Sequence, residues 1–213
     1  MIRLRSFAKI NLGLEVTGTR PDGYHELRTV FQTIDLSDEL ELRETRSPGL
    51  ALAGSDPRVP WDDGNTIARA YRLLGENFSL ARGFAVRVTK KIPPGAGLGG
   101  GSGNAAVMLL FLDRYFNLNV PGGQMNELAA RLGADVPFFL HGGTVLGEGI
   151  GERLTPLPEA ERARVFDAAL TRMGQMQPDG ILIACNTLSI LYPRTAFSRH
   201  PAVRVHGIVD AGV

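Results

Sequence analysis

The 213-residue chain has a single cysteine, Cys185, so no disulfide can form within it. That usage favours a reducing, cytoplasmic setting. Basic residues (23) nearly balance acidic ones (22), giving a net charge of +1. Such a balance leaves no bulk field to attract nucleic acid. No apolar run approaches the ~20 residues that a membrane-spanning helix needs, so neither a nucleic-acid nor a membrane partner is expected. The first sixteen residues, MIRLRSFAKINLGLEV, carry Arg3, Arg5 and Lys9 but no long apolar core and no small-residue cleavage site. They do not read as a signal peptide. Internal repeats and low-complexity tracts are also lacking, and nothing in the sequence speaks to oligomeric state. What remains is a chain with 44% hydrophobic residues, enough for one domain or two small ones.

Glycine, by contrast, is concentrated. Gly95, Gly97, Gly99, Gly100, Gly101 and Gly103 fall within nine positions of the stretch KKIPPGAGLGGGSGNAAVMLL (90–110), directly ahead of an apolar run. Glycine allows backbone to approach a ligand closely and to adopt positive φ. A helix starting after such a loop presents unpaired N–H groups and the positive end of its dipole. The combination is an anion site, most often for phosphate, and Lys90 and Lys91 add positive charge just before it. The spacing Gly95-x-Gly97-x-x-Gly100 also fits a dinucleotide fingerprint. That fingerprint needs its glycines straight after a strand and an acidic residue about 20 positions on, past a second strand. Here Ile92-Pro93-Pro94 intervenes and one long helical run follows, while the phosphate-loop ending Gly-Lys-Ser/Thr is absent. A flexible linker is the bland alternative, and the eight apolar residues from Ala105 to Leu112 speak against it.

Along the chain, residues 1–16 alternate as a strand, with Ala8, Ile10, Leu12, Leu14 and Val16 on one face and Lys9 and Asn11 on the other. Arg20-Pro21-Asp22-Gly23 is a turn. Residues 24–44 read as further strand with a polar break at Leu36-Ser37-Asp38, and 47–64 as loop. Helices are expected over 65–77, 104–117 and 124–132, the last opened by a turn at 121–123 and closed by Gly133; a strand at 84–88 enters the glycine loop. Asp135 precedes a short helix, and 142–154 is strand and turn. A charged amphipathic helix covers 159–176, and strands at 180–185 and 203–209 suggest a parallel α/β layout.

Four segments carry a resemblance: AKINLGL (8–14), RPDGYHELRTVFQTIDLSDEL (20–40), PPGAGLGGGSGNAA (93–106) and GADVPFFLHGG (133–143). They resemble the GHMP small-molecule kinases, and within them the branch acting on 4-diphosphocytidyl-2-C-methyl-D-erythritol in isoprenoid-precursor synthesis. The resemblance covers about residues 1–157. It implies an α+β fold: a GHMP-kinase N-terminal lobe of mixed sheet and helices, with a left-handed βαβ crossover near the glycine loop, against the usual right-handed rule. It further implies ATP and Mg²⁺ as cofactors and a cytidine diphosphate small molecule as substrate.

The roles it implies are these. Pro94, Gly95, Ala96, Gly97, Leu98, Gly99, Gly100, Gly101, Ser102 and Gly103 would wrap the ATP phosphates, with the Ser102 hydroxyl toward phosphate or magnesium. Many relatives carry a second serine where this chain has Gly103. Asp135 resembles the catalytic aspartate that takes or orients the proton of the attacking hydroxyl, and Lys9 its partner, which keeps that carboxylate ionised. Asn65 resembles a nucleotide-contacting asparagine. Asn11, Tyr24 and His25 resemble the substrate pocket, with Tyr24 stacked on cytosine and His25 hydrogen-bonded to it. No protein-side set of metal ligands is called. Each residue also has an ordinary reading. Asp135 before Val136-Pro137 is a helix N-cap pattern, Lys9 and Asn11 suit the wet face of an edge strand, and Tyr24 and His25 can simply close a hairpin.

After residue 157 the resemblance ends. The further lobe of that family, with a third glycine-rich motif and an aromatic completing the cytosine sandwich, is not found. Residues 178–213 instead resemble part of the aspartate/glutamate racemase family, through Ala184-Cys185-Asn186-Thr187 and Gly207-Ile208-Val209-Asp210. That family uses two cysteines where this chain has one, which argues against racemisation. Two domains are expected, 1–157 (kinase lobe) and 158–213 (short α/β fragment), the second poorly packed. The function expected is an ATP-dependent kinase. A non-catalytic remnant with residual phosphate binding is the second reading and a racemase fragment the third.

Overall fold

The computed structural model describes residues 1–21, 23, 25–183, 188, 192–199 and 203–207. The chain divides into two compact units, residues 1–9 with 36–142 and residues 10–35 with 143–213. The expected boundary after residue 157 therefore lies inside the second unit. The strands β1 (Ile2–Thr19) and β2 (His25–Thr45), neighbours in the sheet, each give residues to both units. Among the described residues, no helix is long and apolar enough to cross a membrane.

In the first unit, residues 39–45 of β2 pair antiparallel with β4 (Gly83–Thr89), which pairs in parallel with β3 (Leu50–Gly54). The connection from β3 to β4 is α1 (Thr66–Asn77), so a βαβ unit leads straight into the glycine loop. Then come α2 (Gly100–Phe116), α3 (Gly122–Leu132) and the short α4 (Val136–His141). Leu40 and Leu42 of β2, Phe84, Val86 and Val88 of β4, Ile67 and Leu74 of α1 and Met108, Leu109 and Leu112 of α2 are buried in one cluster. Phe84 anchors it, its ring edge-on to Phe111 and Tyr115 at 5.0 Å. Such aromatic pairs contribute about 0.5–1.5 kcal/mol beyond area burial.

In the second unit, residues 27–32 of β2 pair antiparallel with β5 (Thr144–Gly149), and β5 with β6 (Arg153–Pro156). The helix α5 (Glu159–Gln175) follows, burying Phe166 and Leu170. Strands β7 (Gly180–Ile183) and β8 (Arg204–Gly207) pair in parallel, as the layout predicted. Two short 3₁₀ turns, Tyr192–Arg194 and Phe197–Arg199, lie between them. The Phe197 ring seats against Gly174 where any Cβ would collide with it, and its backbone N–H donates to Asp167 at 2.8 Å. Cys185 and the rest of the Ala184–Thr187 motif, together with 208–210, fall outside the described residues.

Five local expectations give way, each to tertiary structure. The segment 47–64 contains β3, whose Leu50 and Leu52 alternate with exposed Ala51 and Ala53. Helix α2 begins at Gly100 instead of 104, and α3 at Gly122 with Pro121 as its N-cap instead of a turn. The polar triplet 36–38 does not interrupt β2, because Ser37 and Asp38 are buried with partners; Arg5 Nε donates to Ser37 Oγ at 3.0 Å. Along β1 the apolar face does not stay dry, since Leu14 and Val16 are 57% and 54% exposed.

Candidate active site around the glycine loop

The loop leaves β4 through Lys90, Lys91 and Ile92, and its three glycines Gly95, Gly97 and Gly99 all hold φ between +71° and +73°. An L-residue there costs roughly 1–2 kcal/mol. At Gly99, the N-cap of α2, the constraint is doubled, because an added Cβ would lie 2.5 Å from the Phe139 ring and 3.2 Å from Lys9 Cγ. Helix α2 then starts with glycines, which lower helix propensity by about 1 kcal/mol each. Close packing requires them: a Cβ on Gly100 would come within 3.0 Å of Ile92 and Lys90, and one on Gly103 within 2.8 Å of Ser6 Oγ. Gly103 is thus matched to its neighbour, and the Ser6 hydroxyl it faces is buried without a hydrogen-bond partner.

Loop and helix border a cleft of about 280 Å³ with Val59, Pro60, Trp61 and Lys90 on its other sides. Two helix N-termini meet this cleft, through Asn65 and Thr66 of α1 and Gly99 to Gly101 of α2. Thr66 Oγ1 ties them by donating to the Gly101 carbonyl at 2.8 Å. Unpaired helix N–H groups with aligned dipoles suit an anion. Asn65, expected to contact nucleotide, is the N-cap of α1: its Oδ1 accepts from Ile67 N at 3.0 Å and its Nδ2 donates to Pro60 O at 2.7 Å. Trp61 lies over Gly54 and donates from Nε1 to the Asp56 carbonyl at 2.9 Å. The carboxylate of Asp56 in turn grips Arg58, whose side chain and N–H hold that carboxyl down at about 2.

Beyond the loop, β1 approaches at Lys9, whose N–H donates to the Leu98 carbonyl at 3.0 Å. Lys9 is 6% exposed rather than on a wet face, and its Nζ lies 3.4 Å from Asp135 Oδ2. Asp135 stands at the N-cap position of α4 but makes no side-chain capping bond. The wet strand face therefore fails for Lys9, while Asp135 keeps the cap position without the capping hydrogen bond. Lys90 and Lys91 depart from expectation the other way. The Lys90 ammonium pairs with fully buried Asp38 and Lys91 with Glu39 at 2.6 Å, so neither offers an unpaired charge to the loop. Glu39 is held below the usual carboxylate range by Lys91. Asp38 is the residue sequence reasoning missed; its only signal was a carboxylate inside an otherwise strand-like run.

In the second unit, Asn11 Nδ2 donates to Thr29 Oγ1 at 2.7 Å, and that hydroxyl to the Gly13 carbonyl at 2.7 Å. The exposed His25 ring sits 3.3 Å from Thr19 Oγ1 across the hairpin. Tyr24 lies outside the described residues. Lys9, Asp135 and the glycine loop are thus brought together in the first unit, and Asn11 and His25 belong to the second. Among the described residues, no group of three or more His, Cys, Asp or Glu forms a metal cage.

With this geometry in hand, comparison with known proteins is direct. Residues 65–143 match the family described as GHMP kinases N terminal domain. The mixed α+β fold is that of a GHMP kinase N-terminal domain. A 4-diphosphocytidyl-2-C-methyl-D-erythritol kinase from Acaryochloris marina is 45% identical over 159 residues, 75% of this chain and 51% of the relative. One from Marinobacter nauticus is 47% identical over 156 residues, 73% of this chain and 54% of the relative. A crystal structure of a 4-(cytidine 5'-diphospho)-2C-methyl-D-erythritol kinase superposes with a TM-score of 0.64 at 42% identity, covering 73% of this chain and 55% of that one. The chain spans about half the length of the curated relatives it matches.

Proposed function

We propose that this chain carries the nucleotide-phosphate and catalytic elements of an ATP-dependent kinase that phosphorylates the 2-hydroxyl of 4-diphosphocytidyl-2-C-methyl-D-erythritol, working in the cytoplasm. The observation that carries the reading is the Lys9–Asp135 pair beside Gly99, at the end of a glycine loop that opens a helix. Phosphoryl transfer needs in-line positioning, neutralisation of charge and orientation of the nucleophile, with little covalent help from the protein. The residues from Pro94 to Gly103 would receive the phosphates on their N–H groups and the α2 dipole. Asp135 would orient the acceptor hydroxyl and take its proton, with Lys9 stabilising the carboxylate and the charge that develops beside it. Mg²⁺ fits this donor set: it keeps most of its waters and needs only one or two oxygens besides the phosphates. Ser102 would supply a hydroxyl, and the ion would neutralise phosphate charge. Asn11, His25 and Tyr24 are proposed for the cytidine diphosphate end of the substrate. The relatives' names and the fold support the reading.

The test is ADP release by the 213-residue chain with Mg-ATP and the cytidyl substrate, beside Asp135→Asn. Substrate-dependent release that disappears in the variant is the expected result. Saturable nucleotide binding without turnover in either protein would replace the kinase by a phosphate-binding remnant, the second reading. That reading draws on the same loop.

A further inference from the structure

We propose, resting on the nucleotide reading of the cleft, that Asp38 is a positioning residue that presets the glycine loop for phosphate. Asp38 is 0% exposed, yet its carboxylate is fully used. Oδ1 accepts from the backbone N–H of Lys91 at 2.8 Å and of Ile92 at 2.9 Å. Oδ2 accepts from the Lys90 ammonium and from Asn104 Nδ2 at 3.1 Å. Four donors fill the sites a carboxylate offers. They stand on the two roots of the loop, residues 90–92 at the end of β4 and Asn104 in the first turns of α2. One carboxylate on β2 therefore closes the base of everything between Pro93 and Gly103.

This arrangement is costly as a stability device. A buried ion pair contributes little net stability over apolar groups of the same shape, whereas removing one partner is strongly destabilising. Its specific product is geometry. Lys90 reaches the cleft wall, with its Nζ 3.0 Å from where a Gly100 Cβ would sit. A cation at a helix N-terminus is unfavourable, and Asp38 offsets it while fixing where it points. The Asn104 amide is locked in the same way: its Nδ2 is bound to Asp38 and its Oδ1 is buried with no partner. A loop closed at both roots loses less freedom when a ligand binds, so affinity is the quantity that Asp38 sets.

Amide hydrogen exchange on the full chain, read residue by residue, tests this together with ADP titration followed by Trp61, the only tryptophan. In Asp38→Asn the amides of Lys91, Ile92 and Gly103 should exchange about tenfold faster or more while those of Ile67 to Leu74 in α1 stay unchanged. The dissociation constant for ADP should rise by a similar factor. In Asn104→Ala, which keeps the charge pair and serves if the first variant does not fold, only the α2 root should loosen: Gly103 exchanges faster while Lys91 and Ile92 stay protected. Unchanged exchange at the roots, or acceleration spread equally over α1, would overturn the anchoring role. Loosened roots with unaltered ADP affinity would overturn its consequence. A parent chain that binds no ADP while its roots still respond would overturn the nucleotide reading of the cleft and leave the anchor standing.

Discussion

Two lysines flank the glycine loop, and their settings are opposite. Lys90 meets a carboxylate that is fully buried and holds four donors. Lys9 meets Asp135, whose side chain is 35% exposed, at 3.4 Å. The carboxylate of the closed pair has every acceptor site filled and so holds structure in place. The open pair keeps an accessible carboxylate beside a desolvated cation, which is the condition for handling a substrate proton. Similar charges in one loop region thus divide between holding and reacting, and accessibility of the acid decides which.

Substitutions at each end sharpen that division. Asp135→Asn should lower substrate-dependent ADP release by about 10²–10⁴-fold, the range for loss of a positioned acid or base, with a melting temperature close to the parent's. A large loss of stability there would place Asp135 with the holding pair. Lys90→Met should do the reverse, destabilising by about 3–5 kcal/mol because it leaves the Asp38 charge buried and unpaired; urea denaturation would show it. Gly99→Ala combines a left-handed φ with a collision against Phe139, for a loss of about 2–4 kcal/mol, read in the same way.

The smallest effect concerns acid. The Arg58 guanidinium hydrogen-bonds Asp56 and lowers its carboxyl to about 2 from an ordinary value near 4. A lowered folded-state value means that the clip's contribution is complete above about pH 4 and is lost as pH falls toward 2. Because Trp61 bonds the Asp56 carbonyl, its emission should shift across that window. In Arg58→Ala the difference between variant and parent should shrink across that window and be largely lost by about pH 2. A difference that is undiminished at pH 2 would show that Arg58 acts there without the carboxylate.

Much of this was legible because glycine and apolar periodicity are local signals. The helices of the first unit, the strand entering the loop and the loop itself could be read from spacing alone, and Lys9 and Asp135 were named through four ordered motifs. What escaped depends on contacts distant in sequence. Asp38 looked like a strand break because its four partners lie more than fifty positions on. Strand β3 was hidden among prolines and glycines, and its parallel pairing with β4 is settled only across α1. The start of α2 was misplaced because glycine is a poor helix former in isolation, whereas here only glycine fits against Ile92 and Ser6. Alternation along β1 named two faces but not which one stays dry: Lys9 is buried, and Leu14 and Val16 face water.

The most direct measurement is a titration of the 213-residue chain with ADP, followed by the fluorescence of Trp61 in the cleft wall. A saturable change that is abolished in Gly99→Ala and retained in Asp135→Asn is the predicted result, placing phosphate binding in the loop and chemistry in the open pair. No saturable change in the folded parent protein, or one that Gly99→Ala leaves intact, would contradict the assignment of this cleft to a nucleotide.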